Sequence, residues 1–97
     1  MWRLGRSAKS AAVYRIEIEA EADKALRRLP RNTAKRIRSK LLALAADPFA
    51  RNPNVRKLTG REGYRLRVGD WRALYTIDPD NEIVSVLVVK PRGGAYD

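Results

Sequence analysis

Arginines recur on a regular spacing in the segment Tyr64-Arg65-Leu66-Arg67-Val68-Gly69-Asp70-Trp71-Arg72-Ala73-Leu74-Tyr75. A guanidinium presents a planar fork of donors that matches phosphate oxygens, and it stays charged at any physiological pH. A cluster of such forks can bind a phosphate and stabilise the charge that grows on it when it is attacked. Lys90 and Arg92 extend the basic set toward the C-terminus, and Tyr96 adds an aromatic ring that can stack on a base or donate from its hydroxyl. The chain has no Cys and no His. Disulfides, Cys/His zinc sites and every mechanism that needs a thiol or an imidazole are therefore excluded. No cofactor is expected.

Side chains alternate faces along a strand, so Tyr64, Leu66 and Val68 share one face while Arg65 and Arg67 share the other. Read as a two-residue hairpin turn, Gly69-Asp70 pairs Val68 with Trp71, Arg67 with Arg72, and Leu66 with Ala73. Tyr64, Leu66, Val68, Trp71, Ala73 and Tyr75 then form a packed face, and Arg65, Arg67 and Arg72 an exposed one. Arg67 and Arg72 lie directly opposite each other. Like charges in that position weaken a sheet, and a locally unfavourable choice of this kind is expected mainly at functional sites. A turn over Asp78–Glu82 would set Arg72 beside Val88, with Lys90 and Arg92 emerging at the same sheet end. The competing account pairs these arginines with Glu62, Asp70, Asp78 or Asp80 on a solvated face.

The rest of the chain supplies the frame. Val13–Glu19 alternates and reads as a first strand. From Ala20 the period becomes helical: Ala22, Leu26 and Leu29 form one face, acids sit at the start, Arg27 and Arg28 at the end, and Pro30 stops the helix. Asn32 or Thr33 would cap a second helix, with Ala34, Ile37, Leu41 and Leu44 as its apolar stripe. Lys35, Arg36, Arg38 and Lys40 occupy its other side, either as a solvated face or as a second patch for RNA phosphates. Asp47-Pro48 ends it, and the short connection makes the two helices antiparallel. Residues 48–62 read as a loop. Ile83–Val89 is apolar apart from Ser85 and is expected to be a strand buried on both faces. The fold class is thus α+β: an N-terminal strand, an antiparallel helical hairpin and a three-stranded antiparallel meander. Residues 1–12 read as a basic tail and residues 13–97 as one domain.

Over 97 residues, 21 Lys and Arg stand against 11 Asp and Glu, a net charge of +10. With 44% hydrophobic and 33% charged residues the composition is that of a globular domain. Such a charge favours a polyanionic partner: RNA, DNA, an anionic membrane or an acidic protein. No run of about 18 apolar residues exists to cross a membrane. The opening residues have no apolar core and are not read as a secretory signal.

The order of elements resembles that of the RelE/ParE toxins. So do Ala25-Leu26-Arg27-Arg28-Leu29-Pro30, Lys57-Leu58-Thr59-Gly60, the Arg65-x-Arg67-x-Gly69-x-x-Arg72 pattern and the tail Arg92-Gly93-Gly94-Ala95-Tyr96. The resemblance implies a cytoplasmic toxin that forms a hetero-oligomer with a cognate, acidic antitoxin. In the RelE branch it implies metal-independent mRNA cleavage on the ribosome. By position, Arg65, Arg67, Arg72, Arg92 and Tyr96 match the RelE site, and Lys35, Arg36, Arg38, Lys57 and Lys90 are candidate RNA contacts. Arg65 and Arg67 stand where the best-known RelE pattern has Lys, and Pro91 where a His or Lys often precedes the tail arginine. Attack of a 2′-hydroxyl on the adjacent phosphate also needs a proton acceptor, which Arg does not supply readily. Tyr96, Glu62 or a ribosomal group are the candidates. Two other classes stay open: a ParE-like inhibitor that binds DNA gyrase without chemistry, and a non-toxic nucleic-acid-binding module.

Overall fold

A computed structural model describes residues 13–93. Tyr96 and the basic tail over residues 1–12 lie outside the described residues. The elements in chain order are β1 (Arg15–Ile18), α1 (Ala20–Arg28), α2 (Arg31–Ala46), β2 (Val55–Lys57), β3 (Tyr64–Val68), β4 (Trp71–Asp78) and β5 (Ile83–Pro91). They build one five-stranded sheet in the order β1-β5-β4-β3-β2. The expected meander of three strands is present and gains β2 as an antiparallel edge. The N-terminal strand β1 joins the other side, parallel to β5.

Both helices lie on one face of the sheet. Ala22 and Leu26 of α1 and Ile37, Leu41, Leu44 and Ala45 of α2 meet Leu66, Val68, Ala73, Tyr75, Val84, Val86 and Val89 in a single core. An antiparallel sheet can leave its second face to solvent. This corrects the expectation for β5: Val84, Val86 and Val89 are buried beneath the helices, but Ile83, Ser85, Leu87 and Val88 are only half-buried. The helices are antiparallel, since Asp23 and Arg38, at comparable distances either side of the Leu29-Pro30 junction, approach to 3.7 Å.

Two further boundaries differ from the sequence reading. The second helix starts at Arg31 with Pro30 at its N-cap, so neither Asn32 nor Thr33 caps it. Proline fixes a φ suited to helix entry and has no N–H to satisfy. Residues 48–62 are not all loop, because Val55–Lys57 pairs with Leu66–Tyr64. At three residues this strand is too short for alternation to announce it.

Candidate nucleic-acid interface

The β3–β4 hairpin has the expected register: Val68 pairs with Trp71, Arg67 with Arg72 and Leu66 with Ala73. Gly69 adopts φ 59°, the left-handed first position that a primed two-residue turn requires. The Arg36 guanidinium lies over this glycine, 3.4 Å from where a Cβ would project.

The β4–β5 register does not follow the sequence reading. Arg72 lies opposite Lys90, not Val88. Two causes add. The connecting turn is one residue tighter, with Asp78 paired to Ile83, and a bulge between Leu74 and Tyr75 skips Leu87. Bulges re-aim the side chains beyond them. Here the bulge sends Val89 inward to the core and turns Lys90 onto the face that carries Arg72. The turn itself is closed by Asp78, whose carboxylate accepts hydrogen bonds from the Asn81 side chain at 2.8 Å and the Asn81 backbone N–H at 3.2 Å. These donors hold the Asp78 carboxyl below its ordinary range.

The outcome is two cationic rows across the face opposite the helices. Arg67, Arg72 and Lys90 are successive cross-strand partners on β3, β4 and β5. In the next row Arg56 of β2 faces Arg65 of β3, followed by Leu74 and Val88. A groove of about 500 Å³ opens over this second row, lined by Arg56, Arg65, Lys57, Arg61 and Lys90 with Leu74 beneath. Three like-charged pairs placed directly across a sheet, Arg67–Arg72, Arg72–Lys90 and Arg56–Arg65, oppose its stability, so the arrangement reads as a site for an anion.

Arg72 departs from expectation in one respect. It was predicted to be exposed, yet only 8% of it is accessible, with Nε and Nη1 buried. It lies on β4, the middle strand of the sheet, where alternation sets the face but not the depth. Arg65, Arg72 and Lys90 each interact with a neighbouring group. Arg67 is exposed and lines an adjoining hollow with Lys40, Arg51 and Asn54. Arg92 is exposed beyond Lys90, and its backbone N–H donates to the Asp70 carbonyl at 2.6 Å, which carries the register past Pro91.

The other candidates are dispersed. Lys57 lines the groove. Lys35 and Arg38 line a separate hollow on α2 with Ala34 and Leu42, Arg38 pairs with Asp23, and Arg36 covers the hairpin turn. Glu62, a candidate proton acceptor, lines a second hollow and not the groove. Sequence reasoning missed Arg56 and Arg61. The former became visible only with β2, and the latter sits in a turn-rich stretch with no periodicity to orient it. Among the described residues no group of three or more acidic residues could hold a metal ion.

Comparison with known proteins gives the same picture. The family described as the ParE toxin of type II toxin–antitoxin systems, parDE, matches residues 16–96. A Methanocaldococcus jannaschii protein assigned as toxin RelE1 is 28% identical over 85 residues, covering 86% of this chain and 94% of that one. A chain of the archaeal RelE–RelB complex from Pyrococcus horikoshii superposes with a TM-score of 0.74 at 33% identity, over 86% of this chain and 99% of that one. The isolated Escherichia coli RelE toxin superposes with a TM-score of 0.71 at 21% identity, over 84% and 87% of the two chains, and shares the fold.

Proposed function

We propose, given that the chain belongs to the ParE toxin family of type II toxin–antitoxin systems, that it is a ribosome-dependent endoribonuclease that cleaves mRNA and is held in check by a cognate antitoxin. The observation that carries this reading is the row Arg67–Arg72–Lys90 beside the arginine-lined groove. A gyrase inhibitor that acts by binding alone has no need of a buried guanidinium under a phosphate-sized cluster of cations. The 33% identity to the chain of the P. horikoshii RelE–RelB complex supports the same branch, and its partner supports the antitoxin.

In this reading a messenger phosphate sits in the groove on Arg65 and, at the Lys90 end, reaches toward Arg72, which lies outside the groove's lining as the cross-strand partner of Lys90. The 2′-oxygen of the preceding ribose forms a bond to phosphorus as the bond to the departing 5′-oxygen breaks, leaving a 2′,3′-cyclic phosphate and a free 5′-hydroxyl. The guanidinium groups stabilise the extra charge on the phosphoryl oxygens. Lys90 can hand a proton to the leaving oxygen, which an arginine does poorly. Glu62 lines a different hollow, so the proton from the 2′-hydroxyl goes to Tyr96, acting as its phenolate, or to a group of the ribosome; the ribosome also orients the strand for in-line attack. The antitoxin is expected to be acidic where it covers this face, since complementary charge speeds association.

The family match by the ParE description favours one second reading, a gyrase poison. Brief induction without antitoxin separates the two. Pulse labelling should show protein synthesis stopping first, with new 5′-hydroxyl ends in mRNA. Arrest of DNA synthesis with translation intact would establish the gyrase reading instead.

A further inference from the structure

We infer that the hollow on the helix-bearing face, separated from the cationic groove by the edge strand β2, is a nucleobase subsite that favours bases bearing an exocyclic amino group over uracil. The inference rests on the RNA-cleaving reading and extends it to base selection. The hollow measures about 410 Å³ and is lined by Phe49, Tyr64, Ile77, Pro79, Lys57 and Glu62. That volume lies within the roughly 300–1,000 Å³ of small-molecule sites.

Three observations converge. First, Phe49 is 60% exposed, in a loop where a large apolar ring gains nothing from burial. It is nonetheless fixed, because Tyr14 meets it edge-on with ring centroids 6.3 Å apart. Tyr64 is fixed likewise, stacked on the fully buried Tyr75 at 5.5 Å. Two rings braced from behind and open to a shared hollow form a stacking platform that needs little ordering on binding. Second, Lys57 lines both this hollow and the arginine groove. Because β2 is the sheet's edge strand, a strand with one phosphate in the groove can pass round that edge at Lys57 and turn the adjoining base into the hollow on the other face. Third, Glu62 is the acidic residue of the lining. A carboxylate repels phosphate but accepts hydrogen bonds from the amino group of cytosine, adenine or guanine. Uracil has a carbonyl oxygen where cytosine has that amino group, so it offers the carboxylate only its N3–H, flanked on both sides by repelling carbonyl oxygens. An acid here therefore suits a base edge and not a second phosphate.

The test uses the full chain with 2′-O-methyl hexamers of cytidine and of uridine, which bind but cannot undergo 2′-hydroxyl attack. The cytidine hexamer should bind more tightly. Phe49→Ala should weaken it by about 5- to 100-fold, the span of one base–aromatic stack, and Phe49→Trp should restore it. Glu62→Gln should keep the affinity for cytidine and lose the discrimination, because an amide can accept from cytosine or donate to uracil. Thermal melts of each variant check folding, and the tryptophan variant retains the test should alanine unfold. Unchanged hexamer affinity and base ratio in Phe49→Ala and Glu62→Gln would overturn the subsite. So would a loss of antitoxin binding with RNA binding intact, since the hollow would then belong to the antitoxin. Cleavage of mRNA on ribosomes by the wild-type chain is scored in parallel. Cleavage with hexamer binding indifferent to Phe49 leaves the ribonuclease reading standing without the subsite, whereas no cleavage with Phe49-dependent binding leaves the subsite and removes the ribonuclease.

Discussion

At the scale of single residues, two buried polar groups set the sharpest expectations. Arg72 is the innermost cation of the cluster. Arg72→Lys keeps the charge and loses the planar fork, and is expected to lower mRNA cleavage by about 10²–10³, the usual loss on removing one donor to a developing oxyanion. A cleavage rate within a factor of a few of wild type, measured with equal amounts of folded protein, would take Arg72 out of the mechanism. Tyr75 is the second group. Its hydroxyl is buried without a hydrogen bond, and burial, then the neighbouring Tyr64, pushes its ionisation well above the ordinary value of 10.0. Because the folded state binds this proton more tightly than the unfolded chain does, the contribution is fully present below pH 10 and is lost as pH rises above it. Tyr75→Phe has no proton to lose and removes a buried hydroxyl. It should be at least as stable at pH 7 and should unfold less steeply than wild type in melts run from pH 9 to 12. Identical alkaline limbs would refute this account of Tyr75.

At the scale of elements, the decisive parts are the hairpin and the bulge. Gly63 leads into β3 with φ 121°, and a Cβ there would stand 2.9 Å from the backbone oxygen of Tyr75. Gly63→Ala therefore meets both a forbidden conformation and an immovable neighbour, and should lower stability by about 2 kcal/mol or more in urea titration. A loss of a few tenths would mean the strand entry is freer than it looks. The β3–β4 hairpin was legible because alternation, a Gly-Asp turn and matched apolar residues all agreed. The β4–β5 pairing was not. A bulge at Leu87 carries no mark in a run that is apolar apart from Ser85; it and the tighter turn each shift the register by one residue, so Lys90 keeps the face expected of it while Arg72 gains Lys90 and not Val88 as its partner. Strand β2 escaped for a different reason. Three residues set among Pro53, Gly60 and several Asn and Arg hold no period, and what makes them a strand is the edge that β3 offers. Of the candidate site, the arginines on the hairpin and Lys57 were readable from parity and pattern. The depth of Arg72 and the contributions of Arg56 and Arg61 depend on neighbours from other strands that no local pattern names.

At the scale of the whole molecule, charge and topology have separate consequences. A chain of net charge +10 binding a single strand through the groove cations releases counterions as it binds. If four or five of those cations contact phosphates, the logarithm of affinity for an RNA hexamer should fall against the logarithm of salt with a slope of about −3. A slope near zero would show that RNA does not use this face. Topology acts on the making of the protein. The sheet is closed by its two chain ends, with Arg15–Ile18 of β1 lying along Ile83–Val86 of β5. Contacts that distant in sequence form late. While the chain is being synthesised, β1 has no partner until β5 has emerged, and the strand that brings its partner also brings Lys90 and completes the cationic row. The folded sheet and the cationic row are therefore completed together, by the same late pairing of β5.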